Sequence, residues 1–413
     1  MNESDNLKLT ELIEAWVAEK NPRGTSLLVI TPDATRSCPL AEIVKTLQTK
    51  LRSRFDQIDY LVALGTHKLM EPKEIRRLYG LDAEGADEAF QGSHFFNHRW
   101  DMDDTLIRVG CLSGAELSEL TDGQLQEDID ILINRIVFDY EKILVISPVF
   151  PHEVVGFSGG VKYFFPGVSG GDFVQKFHWL GGLLGASSII GQKDTVTRRL
   201  IEKATKFLDL NVQYLTLVIA HDESIAACYL GSYPEAWSKA ADTSAMVNVV
   251  RHPKQFQTVI GLAPKMFTEI WTAGKVMYKL ERMVAPGGQL IIYGPHIETF
   301  SHTWGKWIMK VGYHTKDYLL AHPELMDGVP PGIFAQSCYV KGMGRYINGI
   351  ECPRIDVTLC TGISESICRS VNLSYIDPRD FDVDLYRGRE TEGYLVIDNA
   401  GEVLHIPDEE IPW

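Results

Sequence analysis

Short apolar segments alternate with longer amphipathic segments along this chain of 413 residues. The apolar segments are six to eight residues long and rich in Val, Ile and Leu, and they are SLLVIT (26–31), DYLVALG (59–65), KILVISP (142–148), LTLVIA (215–220), QTVIGLA (257–263), GQLIIYG (288–294) and IDVTLCTG (355–362). Near-continuous apolar runs of this length are typical of parallel β-strands that are buried on both faces.

The segments between them carry apolar residues at intervals of three and four, a spacing that predicts amphipathic helices. The clearest examples are PLAEIVKTLQTKLRS (39–53), EPKEIRRLYG (71–80), TDGQLQEDIDILINRIVFD (121–139) and AGKVMYKLERMV (273–284). The alternation of strands and helices predicts an α/β fold with mainly parallel sheets flanked by helices.

The length of the chain predicts two domains, because an ordinary domain has roughly 150 residues. We place the boundary between residues 250 and 270, after NVVRHPKQFQ, and divide the chain into domains 1–265 and 266–413. The apolar fraction of 45% and the charged fraction of 23% are those of an ordinary globular protein.

Charge and cysteine content restrict the class of protein and its partners. The formal charge is −15 and no Lys/Arg cluster with interleaved aromatic residues offsets it, so nucleic acid is not an expected partner. The seven cysteines are scattered without a C-x-x-C pair, which indicates reduced thiols. The first residues are acidic rather than basic and apolar, and no run of ~18 apolar residues follows, so we expect a soluble cytoplasmic protein with no membrane partner.

Polar segments follow four of the predicted strands, namely VITPDATRSCP, ALGTHKLMEP, ISPVFPHEVVGFSGG and IIYGPHIETFSH. Ligands of open α/β sheets bind beyond the carboxyl ends of the strands. We therefore expect the functional residues in these segments.

The first polar segment has the composition of a phosphate site. Asp33, Thr35, Arg36 and Ser37 precede Pro39, a favoured first residue of a helix, so they lie where free backbone N–H groups attract an anion. Simple N-capping by Ser37 is an equally good interpretation of this segment alone.

The second polar segment and a later one are rich in histidine and cations. His67 and Lys68 follow a strand directly, and His94, His98 and Arg99 lie in GSHFFNHRWD. Imidazole as acid or base beside a cation suits a substrate that carries a carboxylate. Each of the three histidines could also be a surface residue. A helix over GSHFFNHRWD would instead place His94 and His98 on one face as metal ligands.

The segment PHEVVGFSGGVKYFFPGVSGG, residues 151–171, concentrates glycines and reactive groups. Its GFSGG stretch lets the backbone approach a ligand closely, although the P-loop pattern is absent. Lys162 lies in an apolar setting that would favour a nucleophile or a covalent attachment point, or it is a surface lysine with a buried stem. His178, farther along, is a ligand or a core residue, and its interest comes from His152 and Lys162 nearby in sequence.

Five ordered motifs between residues 31 and 178 carry a resemblance to a known family. They are TPDATR, ALGTHK, NHRW, PHEVVGFSGGVKYFFPGVSGG and the later FH. In this order they closely resemble the lactate racemase family of nickel-pincer-nucleotide enzymes. The resemblance implies a racemase or epimerase of a 2-hydroxy acid, with the active site in the cleft between the two domains.

The resemblance also implies a cofactor, pyridinium-3,5-bisthiocarboxylic acid mononucleotide nickel. By motif position it would be attached covalently to Lys162, and His178 would bind the metal. Nickel favours such a set of sulfur donors and imidazole. The phosphate contacts would come from Thr35, Arg36 and Ser158. The cofactor requires separate maturation enzymes, which are expected partners.

The family's two catalytic histidines fall on His98 and His152, which would face opposite sides of the bound 2-hydroxy acid. One would take the hydroxyl proton while the C2 hydride moves to the cofactor, which gives a planar 2-oxo acid. Return of the hydride to the other face would invert the centre, with the second histidine serving that face.

The resemblance continues at lower specificity in WTAGKVMYKLERMVAPGG, where Lys275 would contact the substrate. Thr272 stands where lactate racemases commonly have glutamine, and Trp271 stands where a tyrosine is usual. Lys68 replaces a typical arginine, and Arg99 could receive a larger or more polar substrate. These departures predict a substrate other than lactate, such as an aromatic acid, a dicarboxylate or a sugar acid.

Two other functions remain open from the sequence. The four histidines His67, His98, His152 and His178 with Asp33 could form a hydrolytic zinc or manganese site, in which Lys162 would act only through its charge. Alternatively, the chain could be a sensor that binds a hydroxy acid or a nucleotide without converting it.

Overall fold

The structure is a computed structural model that describes residues 3–411. It divides into two compact units. The first unit comprises the described residues up to Phe150 together with Phe157–Val174 and Arg198–Val247. The second unit comprises Pro151–Gly156, Gln175–Thr197 and the described residues from Asn248 onward.

The elements follow one another in the α/β alternation that the sequence predicts. The helices are α1 (Glu3–Lys20), α2 (Leu40–Leu51), α3 (Pro72–Tyr79), α4 (Ala86–Ala89), α5 (Gly114–Leu120), α6 (Gly171–Leu184), α7 (Ala186–Ile189), α8 (Val196–Thr205), α9 (Glu235–Val247), α10 (Ile270–Leu280), α11 (Gly305–Val311), α12 (Lys316–Ala321), α13 (Pro331–Lys341) and α14 (Glu365–Ser370). The strands are β1 (Gly24–Thr31), β2 (Phe55–Val62), β3 (Phe95–Asn97), β4 (Leu106–Leu112), β5 (Ile129–Asn134), β6 (Lys142–Pro148), β7 (Pro151–His152), β8 (Gly156–Phe157), β9 (Ser169–Gly170), β10 (Val212–Ile219), β11 (Ile225–Gly231), β12 (Val249–His252), β13 (Phe256–Leu262), β14 (Val284–Gly294), β15 (Gly344–Ile347), β16 (Ile350–Pro353), β17 (Asp356–Thr361), β18 (Ser374–Tyr375), β19 (Tyr394–Ile397) and β20 (Leu404–Pro407). Of the helices in residues 3–411, none is both long and apolar enough to cross a bilayer.

The first unit is built on a six-stranded sheet in the order β11-β10-β6-β1-β2-β3. All neighbours pair in parallel except β10 and β11, which are antiparallel. The central strand β1 is buried from Leu27 to Ile30, as expected of a parallel strand that is covered on both faces. A smaller antiparallel sheet in the order β4-β5-β9 belongs to the same unit.

The second unit is built on a five-stranded parallel sheet in the order β18-β17-β14-β13-β19. Its main core packs α10 and Val340 of α13 against this sheet. The seven predicted strands correspond to β1, β2, β6, β10, β13, β14 and β17, and the predicted helices at 39–53, 71–80 and 273–284 correspond to α2, α3 and α10. The predicted fold class is confirmed.

The helix predicted over residues 121–139 is wrong. Most of this segment's apolar half forms β5, followed by a short 3-10 turn. Ile129, Ile131 and Ile133 are buried while Asp130 between them is exposed, which is the period of two that a strand requires. Pairing with β4 and β9 prevailed over the helical spacing of the same residues.

The two units differ from the contiguous halves 1–265 and 266–413 in where the chain changes unit. The first unit ends at Val247, since β12 pairs in parallel with β20 of the second unit. Residues 151–156 and 175–197 also belong to the second unit, where Thr197 Oγ1 donates to the carbonyl of Val154. The division of function between the predicted halves stays a prediction.

Candidate active site

The first unit has a topological switch point between β1 and β6. The chain leaves β1 through α2 to reach β2 on one side, while β6 pairs with the other side of β1. Such a point opens a crevice beyond the carboxyl ends of the two strands. The residues that follow these ends include Thr35, Arg36 and, where the chain re-enters this unit, Ser158 and Lys162.

The glycine-rich loop at the end of β6 is tied to that strand. Ser158 Oγ donates to the carbonyl of Pro148 at 3.0 Å and accepts from the N–H of Phe150 at 2.9 Å. Gly159 has a φ of +81°, and a Cβ there would lie 2.8 Å from Val149 Cγ2. The Ser158 hydroxyl, which is predicted to contact a phosphate, thus donates its proton to a backbone carbonyl instead.

Lys162 lies in a 3-10 turn, Gly160–Tyr163, directly after this loop. It is half-buried between Val161 and Tyr163, which are both buried. Its carbonyl accepts from the N–H of Gly167, and the carbonyl of Gly167 accepts from the N–H of Gly65. The segment after β2 therefore lies beside the predicted attachment lysine.

The segment after β1 also lies beside this turn. Burial raises the pKa of the Tyr163 phenol well above its usual value, and the charges of Cys38, Arg36 and Asp33 add smaller effects of both signs. Arg36 is half-buried. Asp33 of this loop contacts His67, and Gly65 of the same segment donates to the carbonyl of Gly167, so the loop with Arg36 and the turn with Lys162 are joined through the segment after β2.

Asp33 organises the loop after β1. Its carboxylate accepts from the N–H of Thr35 at 3.0 Å and from the Thr35 hydroxyl at 2.7 Å, and it contacts His67 Nδ1 at 2.6 Å. Pro39 is the N-cap of α2 and makes no side-chain cap hydrogen bond. Ser37 therefore does not occupy the N-cap position that the alternative interpretation gave it.

His98 lies in a buried polar pocket of the first unit. Nε2–H donates to the carbonyl of Ser169 at 2.9 Å, and the Asn134 amide donates to Nδ1 at 3.1 Å. Burial lowers the pKa of His98 to about 4, so the imidazole is neutral at neutral pH. Both ring nitrogens are engaged, while the buried Ser169 Oγ has no hydrogen-bond partner within residues 3–411.

We expect His98 to make the chain less stable as the pH falls from 6.5 to about 4. Within this pH range His98 is protonated in the unfolded chain but not in the folded chain. The free energy of unfolding therefore falls by about 3 kcal/mol between the upper and the lower end of the range. His98→Gln should flatten the fall of the melting temperature with pH. His221→Gln, at an exposed histidine, should keep the wild-type slope. Equal slopes for wild type and His98→Gln would contradict the assignment.

His94 and His98 do not share a helix face, since β3 lies between them. His94 Nδ1 instead contacts the buried carboxylate of Asp59 at 3.2 Å. Across the part of the chain that the structure describes, no group of three or more His, Cys, Asp or Glu side chains is placed to hold a metal ion.

Two predicted substrate contacts of the first unit lie at its surface. Lys68 is exposed. Arg99 is 45% exposed and forms a two-bond pair with Asp101 at 2.8 and 2.9 Å. An exposed pair of this kind contributes little to stability. The His98 residue, by contrast, is 0% exposed.

His152 is a buried residue of the second unit. Nδ1 accepts from the N–H of Val154 at 3.1 Å, which requires a lone pair there. The Glu153 carboxylate lies 3.3 Å from the same nitrogen and favours a proton there. The N–H of Val154 is a suitable partner of the neutral ring, whereas the carboxylate of Glu153 would stabilise the protonated ring. His152 thus has a partner for each protonation state.

His178 is half-buried on the part of α6 that belongs to the second unit. Its ring meets Phe177 edge to face at 5.2 Å, and its carbonyl accepts from the Tyr339 hydroxyl at 3.1 Å. Gly181 makes room for this phenol, because a Cβ there would lie 2.3 Å from Tyr339 Oη. Tyr339 was not predicted, and nothing in the pattern around it distinguishes it from a core residue.

The predicted substrate residues of the second unit lie on α10, which follows β13. Lys275 is buried, with Nζ 4.7 Å from the centre of the Phe267 ring. Thr272 Oγ1 donates to the carbonyl of Glu269 at 3.1 Å, and the Trp271 ring lies 6.2 Å from that of Trp304. The second sheet has a topological switch point here, since β14 pairs with one side of β13 and β19 pairs with the other.

The fold and these loops define an α/β protein whose polar groups gather beyond the carboxyl ends of its strands. Residues 9–188 match the family model of the lactate racemase N-terminal domain. A curated lactate racemase from Lactiplantibacillus plantarum is 26% identical over 163 residues, which are 39% of this chain and 34% of that protein. The match thus spans about a third of that relative.

Two solved structures are similar to the whole chain. A crystal structure of a protein from Thermotoga maritima is 31% identical and covers 98% of both chains with a TM-score of 0.89. The lactate racemase apoprotein from Thermoanaerobacterium thermosaccharolyticum shares the fold at 17% identity, covering 97% of this chain and 93% of its own, with a TM-score of 0.70. The first part of the chain, residues 9–188, therefore carries a lactate racemase N-terminal domain, as the motifs predict.

Proposed function

We propose that the chain is a racemase or epimerase of a 2-hydroxy acid other than lactate. The observation that carries the proposal is the place of Lys162, half-buried after a tied glycine loop and beside the loop of Arg36 at a topological switch point. The match of residues 9–188 to the lactate racemase N-terminal domain supports the reaction class.

The proposed cofactor is the nickel-pincer nucleotide, attached at Lys162. The residues present fit it: a half-buried amine can form the covalent bond, the Arg36 guanidinium suits the phosphate, and His178 offers an imidazole for nickel. The orphaned Ser169 hydroxyl beside His98 is a further polar atom that a ligand could satisfy. When bound, the group would supply an acceptor and donor for the C2 hydride.

The chain's own task in this reaction is to move the hydroxyl proton. We assign this to His98 and His152. Neutral His98 has the protonation state of a base, and to act it must exchange its bond with Asn134 for one with the substrate. His152 has Glu153 beside it to stabilise the protonated ring after transfer.

The proposed substrate class follows from α10. Lys275 holds a buried ammonium, where binding of the substrate carboxylate is stronger than at the surface. Trp271 and Trp304 form a wide apolar surface in the same unit, which favours an acid larger than lactate. Exposed Lys68 would add attraction without directional binding.

The experiment is to co-produce the chain with cofactor maturation enzymes, weigh its peptides, measure nickel, and screen enantiopure 2-hydroxy acids in D₂O. We expect a nucleotide-sized adduct on Lys162 and one substrate class interconverted with its C2 protium retained, because a hydride does not exchange with solvent. Deuterium at C2 would point to proton abstraction. A loaded chain inert to the whole panel would favour the sensor, and an unmodified Lys162 beside a loaded lactate racemase control would refute the cofactor.

A further inference from the structure

Three successive carbonyls of the glycine loop are bound by side chains that lie far away in sequence. Arg198 donates through Nη2 to the carbonyl of Phe157 and through Nη1 to that of Gly159 at 3.3 Å. Trp237 Nε1 donates to the carbonyl of Ser158 between them at 2.8 Å. Each backbone carbonyl from Phe157 to Gly159 is therefore held by a side-chain hydrogen bond.

Arg198 is 2% exposed, and its guanidinium carbon lies 4.1 Å from the centre of the Trp237 ring. The Tyr233 hydroxyl donates to Glu202, and both groups act electrostatically on the guanidinium. Tyr233 also limits the loop directly, since a Cβ on Gly160 would lie 2.8 Å from its ring. The cation, two aromatic rings and the loop form one packed group.

Burying a guanidinium in a protein core carries a large desolvation penalty. Its desolvation often costs as much as its interactions return, and apolar residues of similar volume can stabilise a fold equally well. What an apolar side chain cannot supply is a rigid fork of donors aimed at two carbonyls. Arg198 therefore contributes geometry to the loop rather than stability to the unit.

We propose that Arg198, held over Trp237, is a positioning residue that sets the path of the loop and thereby the direction in which Lys162 leaves the following turn. This inference rests on the role of Lys162 proposed above. It concerns the chain itself and applies before any cofactor is attached.

The test uses the unmodified full chain and the variant Arg198→Met. One readout is hydrogen exchange at the amides of Ser158 and Gly160, which are bonded to Phe150 O and Ser147 Oγ. The other is the rate at which acetic anhydride acylates Lys162, followed by peptide mass spectrometry. Loss of two charge-assisted bonds should speed exchange about 10- to 100-fold and change the acylation rate in the same variant.

Arg354→Met is the matched control. Arg354 is also buried, at 3% exposure, and its two Nη atoms donate to the carbonyls of Val284 and Glu281 in the second unit. Its loss should leave the glycine loop unchanged. Equal effects of the two variants on the loop, or no effect of Arg198→Met, would overturn the proposal.

Arg198→Lys tests the fork of donors separately from the charge. It keeps the charge and the stem but cannot reach both carbonyls, so we expect exchange at Ser158 and Gly160 to stay fast in this variant as well. Exchange as slow as in the wild type would mean that the fork is not needed, and would overturn the proposal. Trp237→Phe, which removes one loop bond and keeps a ring, should raise exchange at the same amides if Arg198→Met fails to fold; an unchanged loop would then count against the proposal.

The exchange result and the cofactor result are independent. A loop loosened by Arg198→Met in a chain whose wild-type Lys162 is never modified would support the positioning role and refute the proposed cofactor. A modified Lys162 in the wild type, together with an unchanged loop in Arg198→Met, would support the proposed cofactor and refute the positioning role.

Discussion

Lys162→Arg is expected to abolish both attachment of the cofactor and turnover. Arginine keeps the positive charge and much of the length of lysine, but its guanidinium cannot form the covalent bond of the primary amine. Peptide mass spectrometry of the co-produced variant should show no adduct, and the substrate that the wild type converts should keep its configuration.

The control for this change is Lys206→Arg, at an exposed lysine of the same unit. It should load and turn over like the wild type. Turnover by Lys162→Arg, or an adduct that moves to another lysine without loss of activity, would remove the attachment role from Lys162.

His152→Ala should lower turnover about 10²- to 10⁴-fold, the usual contribution of a positioned acid or base. The adduct on Lys162 should remain, because His152 is not assigned to attachment. His98→Ala should have a similar effect on turnover. The measurement is the rate of interconversion of the identified substrate at equal adduct and nickel content.

His221→Ala, at an exposed histidine, should leave this rate unchanged. If His152→Ala keeps the wild-type rate, proton transfer is assigned to the wrong residue. If only His98→Ala keeps the wild-type rate, the hydrogen bonds of His98 with Asn134 and Ser169 are purely structural.

The parallel strands could be predicted from the sequence because burial on both faces leaves continuous apolar runs, as in Leu27–Ile30. The strand β5 could not, because its isoleucines also satisfy a helical spacing and only pairing with β4 decides between the two. The predicted loops after β1, β2 and β6 do lie where strands end, since topology places those ends together.

The residues that hold the site escaped prediction for a different reason. Asn134 reaches His98 across 36 positions, Arg198 reaches Phe157 across 41, and Tyr339 reaches His178 across 161. Contacts over such separations leave no periodic signal in the sequence. Motifs therefore indicate the reacting groups, whereas the groups that orient them are visible only in the fold.

The pairing of β12 with β20 and of β13 with β19 has a consequence for synthesis on the ribosome. The second unit cannot complete its sheet until residues 394–407 have left the exit tunnel, whereas the first unit has all its residues by Val247. The segment with His152 and the one with His178 emerge early but belong to the later unit. His178 is made 161 residues before its partner Tyr339, and at about 5–20 residues per second this partner follows roughly 10 to 30 seconds later, so the surroundings of His178 are completed only after the whole first unit has been synthesised.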